Sequence, residues 1–276
     1  MEDRTIVYPT DFSDCSENAL PFVIAFAKAS MAKVKIIHSL ELLGLYATEI
    51  TPADTTMLIK SMEESTMAKL EKLKEELEKE SISCTTEILN GTEVNWLPHA
   101  LSEIKPFMVI MGTTGSGQIE NRIFGSLTHK IISSGSFPVM AIPKNATYKG
   151  IHQVVFSTDF KESDVEHIQF VIDITKKYYP RIDVVHVADG EFTENTEEIF
   201  LRDFEDELFV KVNYPKLSAR LLYSEDVEDR LNILVKESKA DLMVLVSTKR
   251  TFFERIFSNS LTKNMVYHSD TPLLVF

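Results

Sequence analysis

The sequence predicts an α/β protein built as two tandem copies of one β-α-β-α-β-α-β-α-β unit, each a five-stranded parallel sheet with helices on its faces. Three observations lead there. Short apolar runs alternate with amphipathic helical patterns, as in a parallel sheet buried on both sides. A glycine-rich stretch, VIMGTTGSGQIENRIFGS at 109–126, breaks from one such run and ends where a helical pattern opens. Finally, IVYPTDFSDCSENALPFVI in the first half is answered by VVFSTDFKESDVEHIQFVI in the second, with Asp159 standing 148 residues after Asp11 and His186 the same distance after His38.

In chain order, Arg4 to Tyr8 is a β-type run ended by Pro9. The loop that follows leads to a helix that Ser13 or Asp14 can cap, with Ala19, Leu20, Val23 and Ala27 on its apolar face. Val34 to Leu40 is the second strand. Thr51-Pro52-Ala53-Asp54 joins an N-cap residue, proline at the first helical position and an acid in the first turn, so a long helix starts there and runs to about Glu80. Met62, Leu70, Leu73 and Leu77 form its stripe, and EKLKEELEKE is a solvated face.

Ile82 to Leu89 is the third strand, and Val94, Leu97, Leu101 and Ile104 mark a short amphipathic helix on which Trp96 and His99 read as packing or surface residues. Phe107 to Met111 is the fourth strand. After the glycine stretch a helix extends to about Ser134, and FPVMAIP at 137–143 is the fifth strand. The pattern then restarts. Leu231, Ser260 and Pro272 stand 134 residues after Leu97, Ser126 and Pro138, so the second copy is 14 residues shorter, in the region of the long helix. The joint near Asn145 to Gly150 divides the chain into units 1–145 and 150–276.

A chain of 276 residues with 44% hydrophobic content has the material for two cores. A net charge of −13 excludes non-specific binding to nucleic acid or to anionic membranes, so any anionic ligand must be held by local geometry. No apolar run reaches the roughly 18 residues of a membrane span, and MEDRTIVYP lacks the parts of a secretory signal, so a cytoplasmic protein is expected. Cys15 and Cys84 form neither a disulfide framework nor a metal cluster and read as reduced structural thiols.

Glycines in a strand-to-helix loop let backbone N–H groups approach a ligand, and the unpaired N–H groups of the helix start favour a phosphate. The stretch is no P-loop, because Gly-Lys-Ser/Thr occurs nowhere in the chain. Nor is it a dinucleotide fingerprint, because Glu120 stands where a third glycine should follow Gly115 and Gly117. Gly-x2-Gly-x9-Gly-Ser, at 112, 115, 125 and 126 and followed by FPVMAIP, resembles the nucleotide-binding signature of the universal stress protein family. Both halves are similar to that family over nearly their whole length, through PTDFS at 9–13 and IIHSL at 36–40, then STDF at 157–160 and VVHVA at 184–188.

The resemblance implies two doubly wound, Rossmann-like sheets packed as a pseudo-dimer, with FPVMAIP and TPLLVF as the pairing edges, and an adenine nucleotide at the carboxyl ends of the strands. Carried over by position, Asp11 accepts hydrogen bonds from ribose hydroxyls, its alternative being a loop or capping role. Pro9 and Thr10 line the base pocket with Ser39 and Leu40, Ser39 standing where valine is common in the family. Met111, Gly112 and Gly115 contact ribose and the first phosphates, and Gly125, Ser126 and Leu127 the terminal ones. Asp159 is read as structural, and His38 and His186 as packing or hydrogen-bonding residues. In the second half Ser247, Arg250 and about Asn259 replace the glycines, so one intact and one degenerate site are expected; Lys249 and Arg250 read as a solvated pair.

Three functions compete. The first is regulatory binding of ATP by the N-terminal unit, with little or no turnover. The second is a slow ATPase, against which stand the lack of a lysine beside the terminal phosphates, of a general base and of an arginine finger; Arg122, Glu120 and His129 read as surface residues. The third is an interaction scaffold that binds no nucleotide. The choice among ATP, ADP and AMP, the protein partner, and homodimerisation of whole chains stay open. Magnesium would arrive with the phosphates, since no dedicated ligand is visible.

Overall fold

The computed structural model describes residues 4–40, 52–90, 93–114, 125–190, 193–246 and 270–276. In the first half β1 (Thr5–Pro9), β2 (Lys33–Leu40), β3 (Cys84–Asn90), β4 (Met108–Gly112) and β5 (Val139–Ile142) alternate with α1 (Asp14–Glu17), α2 (Leu20–Ser30), α3 (Pro52–Lys79), α4 (Glu93–Ile104) and α5 (Ser126–Ser134). The second half carries β6 (Gln153–Ser157), α6 (Glu162–Thr175), β7 (Arg181–Ala188), α7 (Glu194–Lys211), β8 (Leu217–Tyr223), α8 (Val227–Ser238), β9 (Leu242–Leu245) and β10 (Leu273–Val275).

One difference from the sequence reading has a local cause. The helix expected after Ser13 is a single turn, α1, followed by a separate α2. Pro21 lies in the first turn of α2; it lacks the N–H that a continuous helix would bond to Glu17, and its ring would meet that carbonyl. The shortening of the second copy appears in its second crossover helix, where α7 has 18 residues against 28 in α3.

The strand order is β3-β2-β1-β4-β5-β10-β9-β6-β7-β8. Within each half all pairings are parallel, and the two fifth strands pair antiparallel, Leu274 opposite Met140, making one ten-stranded sheet. Each fifth strand thus covers what would otherwise be an exposed edge of the other half. β4, β5, β9 and β10 are buried at every residue, which explains their continuous apolar sequence.

Each face of the sheet carries one core that runs through both halves. Ile6, Tyr8, Ile36 and Ile110 pack with Phe22 and Phe26 of α2 and Leu70 and Leu77 of α3, and the same cluster continues to Ile168 of α6 and Phe204 of α7. Val7, Ile37, Val109 and Met111 face Leu97 and Leu101 of α4 and Ile131 of α5, continuing to Leu231 and Leu234 of α8. At the seam the rings of Phe107, Phe170 and Phe276 follow one another at 4.9 and 5.3 Å. None of the described helices is long and apolar enough to cross a membrane.

The duplication also exchanged a charge pair. Lys35 of β2 bonds Glu87 of β3 at 2.6 Å, and at the matching places Asp183 of β7 meets Arg220 of β8 at 3.5 Å. In both halves the partner lies two residues beyond the position directly opposite, since Lys35 faces Thr85 and Asp183 faces Ser218.

Candidate functional site

β1 lies between β2 and β4, so the chain leaves β1 towards one edge of its half-sheet and later returns on the other side at β4. A crevice opens at such a switch point, beyond the carboxyl ends of the strands. Pro9 ends β1, Ser39 and Leu40 end β2, and Met111 and Gly112 end β4, so these predicted residues stand at one end of the sheet. Thr10 follows directly, its N–H bonded to Ile37 O at 2.9 Å. All but Asp11 among the residues of these strand ends are buried, and Asp11 is half-buried.

The segment after β4 returns to its own root. Gly125 N–H donates to Thr113 O at 2.7 Å, and the buried Thr128 hydroxyl donates to Gly112 O at 3.1 Å, which fixes the start of α5 against the end of β4. Gly125 is the N-cap of α5 with φ −62° and ψ 160°, and among the described residues no side chain caps this helix start. First-turn N–H groups without a side-chain acceptor suit an anion. Ser126 is exposed there, and Leu127 is partly buried against the core. Gly115, Gly117, Glu120 and Arg122 lie outside the described residues, as do Ser247, Lys249, Arg250 and Asn259 of the second half.

Gly112 has a second, structural reason to be glycine. A Cβ there would sit 2.8 Å from the backbone oxygen of Cys15, so the α1 turn approaches β4 more closely than any side chain permits. The Cys15 thiol fills the remaining space, donating to Ile142 O at 3.5 Å and lying 3.7 Å from Thr113 Oγ1.

The repeated TDF motif is explained by a module that both halves build. His38 Nδ1 lies 2.8 Å from Thr10 O and His186 Nδ1 lies 2.7 Å from Thr158 O. A carbonyl can only accept, so Nδ1 carries the proton in each ring. Phe12 and Phe160 hold left-handed backbone, φ 59° and 56°, and each ring lies 4.7 Å from its histidine ring. Burial pushes the His38 pKa down from its ordinary value, against smaller opposing effects of the Thr10 bond and the Asp11 charge. The fixed spacing from TDF to histidine was the signal in the sequence; the role of the phenylalanine was missed.

The aspartates of the two motifs differ. Asp11 Oδ1 accepts from Ser13 Oγ at 2.6 Å and Ser13 N at 3.1 Å, which secures the N-cap of α1. In the second half this duty falls to the buried Asp164, which accepts from Thr158 Oγ1 at 2.6 Å, Asp159 N at 3.2 Å and Lys161 N at 3.3 Å. Asp159 Oδ2 makes no hydrogen bond among the described residues and lies 3.7 Å from Lys161 Nζ. The helices that cover the modules also differ in charge: Lys69 of α3 stands 5.1 Å over the Phe12 ring, whereas the buried Glu197 of α7 places a carboxylate oxygen 3.6 Å from His186 Nε2. Among the described residues no group of three or more His, Cys, Asp or Glu could hold a metal ion.

Residues 3–143 and 150–276 each match the universal stress protein family. Two universal stress proteins of Methanocaldococcus jannaschii are similar to the chain. MJ0531 is 28% identical over 143 residues, covering 51% of this chain and 82% of its own length. MJ0577 is 25% identical over 154 residues, covering 51% of this chain and 95% of its own. Among solved structures, a universal stress protein from Archaeoglobus fulgidus DSM 4304 covers all of this chain and 98% of its own at TM-score 0.76 and 16% identity, a likeness of fold.

Proposed function

The chain belongs to the universal stress protein family, and on that premise we propose that its N-terminal unit, 1–145, binds an adenine nucleotide, ATP foremost, as a regulatory ligand with little or no turnover. One observation carries this reading. An α5 start whose cap residue, Gly125, has no side chain to cap it is tied through Gly125 and Thr128 to the end of β4, at the switch point where Asp11 leaves β1. Backbone N–H groups at α5 would hold phosphate oxygens, with Ser126 adding a hydroxyl, while Asp11 would take the ribose hydroxyls and the ends of β1 and β2 the base. Magnesium, if bound, would rest on phosphate oxygens and water. The unit 150–276 would stay silent in this reading, because side chains replace its glycines and Glu197 adds a buried carboxylate to its mouth.

Calorimetric titration of the nucleotide-stripped chain with ATP and magnesium tests this, beside Gly125→Asn and the Gly115→Arg, Gly125→Asn double variant. Asparagine is a preferred N-cap, so the single variant supplies the cap that α5 lacks and occupies the same N–H groups. It should fold at least as stably as the parent and bind ATP more weakly; the double variant should not bind. One ATP per parent chain is expected. No binding at millimolar ATP would favour the scaffold reading, and two equivalents would mean the C-terminal unit binds as well.

A further inference from the structure

The one-turn helix α1 packs against the ends of β4 and β5 beneath the candidate site, and the Asn18 that follows it reaches the joint between the halves. Its N-cap, Ser13, is held by Asp11, and its Ser16 N–H donates back to Ser13 Oγ at 3.3 Å. Its Cys15 carbonyl is pressed on Gly112, and the Cys15 thiol bridges Thr113 and Ile142. Asn18, which ends it, donates from Nδ2 to the carbonyls of Pro143, Lys144 and Ala146 at 3.0, 3.2 and 2.6 Å. Those carbonyls belong to the chain that leaves β5 for the second half. Thr113 N–H, at the exit of β4, also donates to Ile142 O at 2.9 Å, so both rims of the site converge on the same strand end. In the second half the residue matching Asn18 is Glu166, which is exposed.

We propose that α1 couples occupation of the nucleotide site to the seating of the 143–146 segment, so that ligand binding and a docked joint favour each other. The inference rests on the nucleotide reading above. A ligand bonded to Asp11 restrains the turn that caps α1, and a ligand against 112–113 restrains the surface on which Cys15 packs. Each restraint passes through a helix too short to bend, to the amide that holds the joint. By linkage the effect is reciprocal: whatever releases the joint weakens the ligand by the same factor.

Hydrogen exchange of the full chain with and without saturating ATP and magnesium tests it, with affinity followed by calorimetry. In the parent, amides at 144–149 should exchange about fivefold more slowly with ATP, while the turn at 213–216, remote from α1, is unchanged. In Asn18→Ala that protection should vanish and ATP should bind about fivefold more weakly, the same factor read from the other side. Asn18→Asp, which sets a carboxylate against three carbonyls at nearly equal size, should behave alike. Calorimetric ATP binding with no slowing at 144–149 in the parent, or equal slowing in the Asn18 variants, overturns the coupling. No ATP binding in the parent instead removes the nucleotide reading, and the coupling with it.

Discussion

His38 donates from Nδ1 to the carbonyl of Thr10 at 2.8 Å, and the same bond recurs between His186 and Thr158 at 2.7 Å. The glycine signature of 112–126 is present in one half only, yet this bond is kept in both. Its purpose is therefore to close the turn after the first strand of each unit: it satisfies a carbonyl beyond the ladder and gives the left-handed phenylalanine a ring to rest on. His38→Ala and His186→Ala should each lower stability by about 1–2 kcal/mol, read from urea midpoints. His186→Ala should leave ATP affinity as in the parent, and a matching loss of affinity would show that the second module serves the ligand.

The His38 pKa is lowered by burial, so the folded protein favours the neutral ring. The unfolded chain then binds more protons just below the ordinary value of 6.5, and stability must fall as pH drops from there through the lowered folded value. His167, lowered for the same reason, adds to the slope. Between about pH 7.5 and about pH 5.8 the urea midpoint should fall, and fall less in His38→Asn, whose amide can still donate to Thr10. An unchanged slope in that variant would contradict this account.

Gly112→Ala should cost about 2 kcal/mol, because its Cβ must displace the backbone of Cys15 rather than the end of a flexible side chain. Thermal unfolding reads this directly. Gly125→Ala, at an extended backbone that any residue adopts, should change stability far less.

Asp164 gathers bonds from a hydroxyl and two backbone N–H groups in full burial. Asp164→Ala should destabilise the protein by about 3 kcal/mol by leaving those donors unpaired. Serine at this place should recover part of the loss, since Ser16 occupies the matching position in the first half and meets Thr10 Oγ1 at 3.1 Å. Equal losses for Asp164→Ala and Asp164→Ser would show that only a carboxylate can serve.

The exchanged pair Lys35–Glu87 and Asp183–Arg220 predicts a tolerated swap. Lys35→Asp alone faces Glu87 with a like charge and should cost about 0.5–1 kcal/mol, and adding Glu87→Arg should restore most of it. A double-mutant cycle in low salt measures this coupling, and additive losses would deny it.

Much of this protein is local information. The apolar runs of β4 and β5, the start of α3 at Pro52 and the repeated TDF each follow from neighbouring residues, because strand burial, helix-start preferences and turn chemistry act over a few positions; Thr51, expected as the cap, lies outside the described residues. The repeat marked the duplication and the shorter second crossover helix, and spacing and punctuation marked Gly112 at a strand end and Gly125-Ser126 at a helix start. The division of one expected helix into α1 and α2 was also within reach, since Pro21 marks it.

What the sequence determined by itself was the unit, its duplication and the residues at its strand ends. Only the tertiary structure decided that Gly112 answers to Cys15, that Asp164 and not Asp159 inherits the capping role of the first half, and that Asn18 holds the joint. These depend on approaches between segments roughly a hundred residues apart in the chain, and on which of two nearby carboxylates is oriented towards the N–H groups. Such distances are set when both cores close around one ten-stranded sheet, a condition that no local pattern of residues encodes.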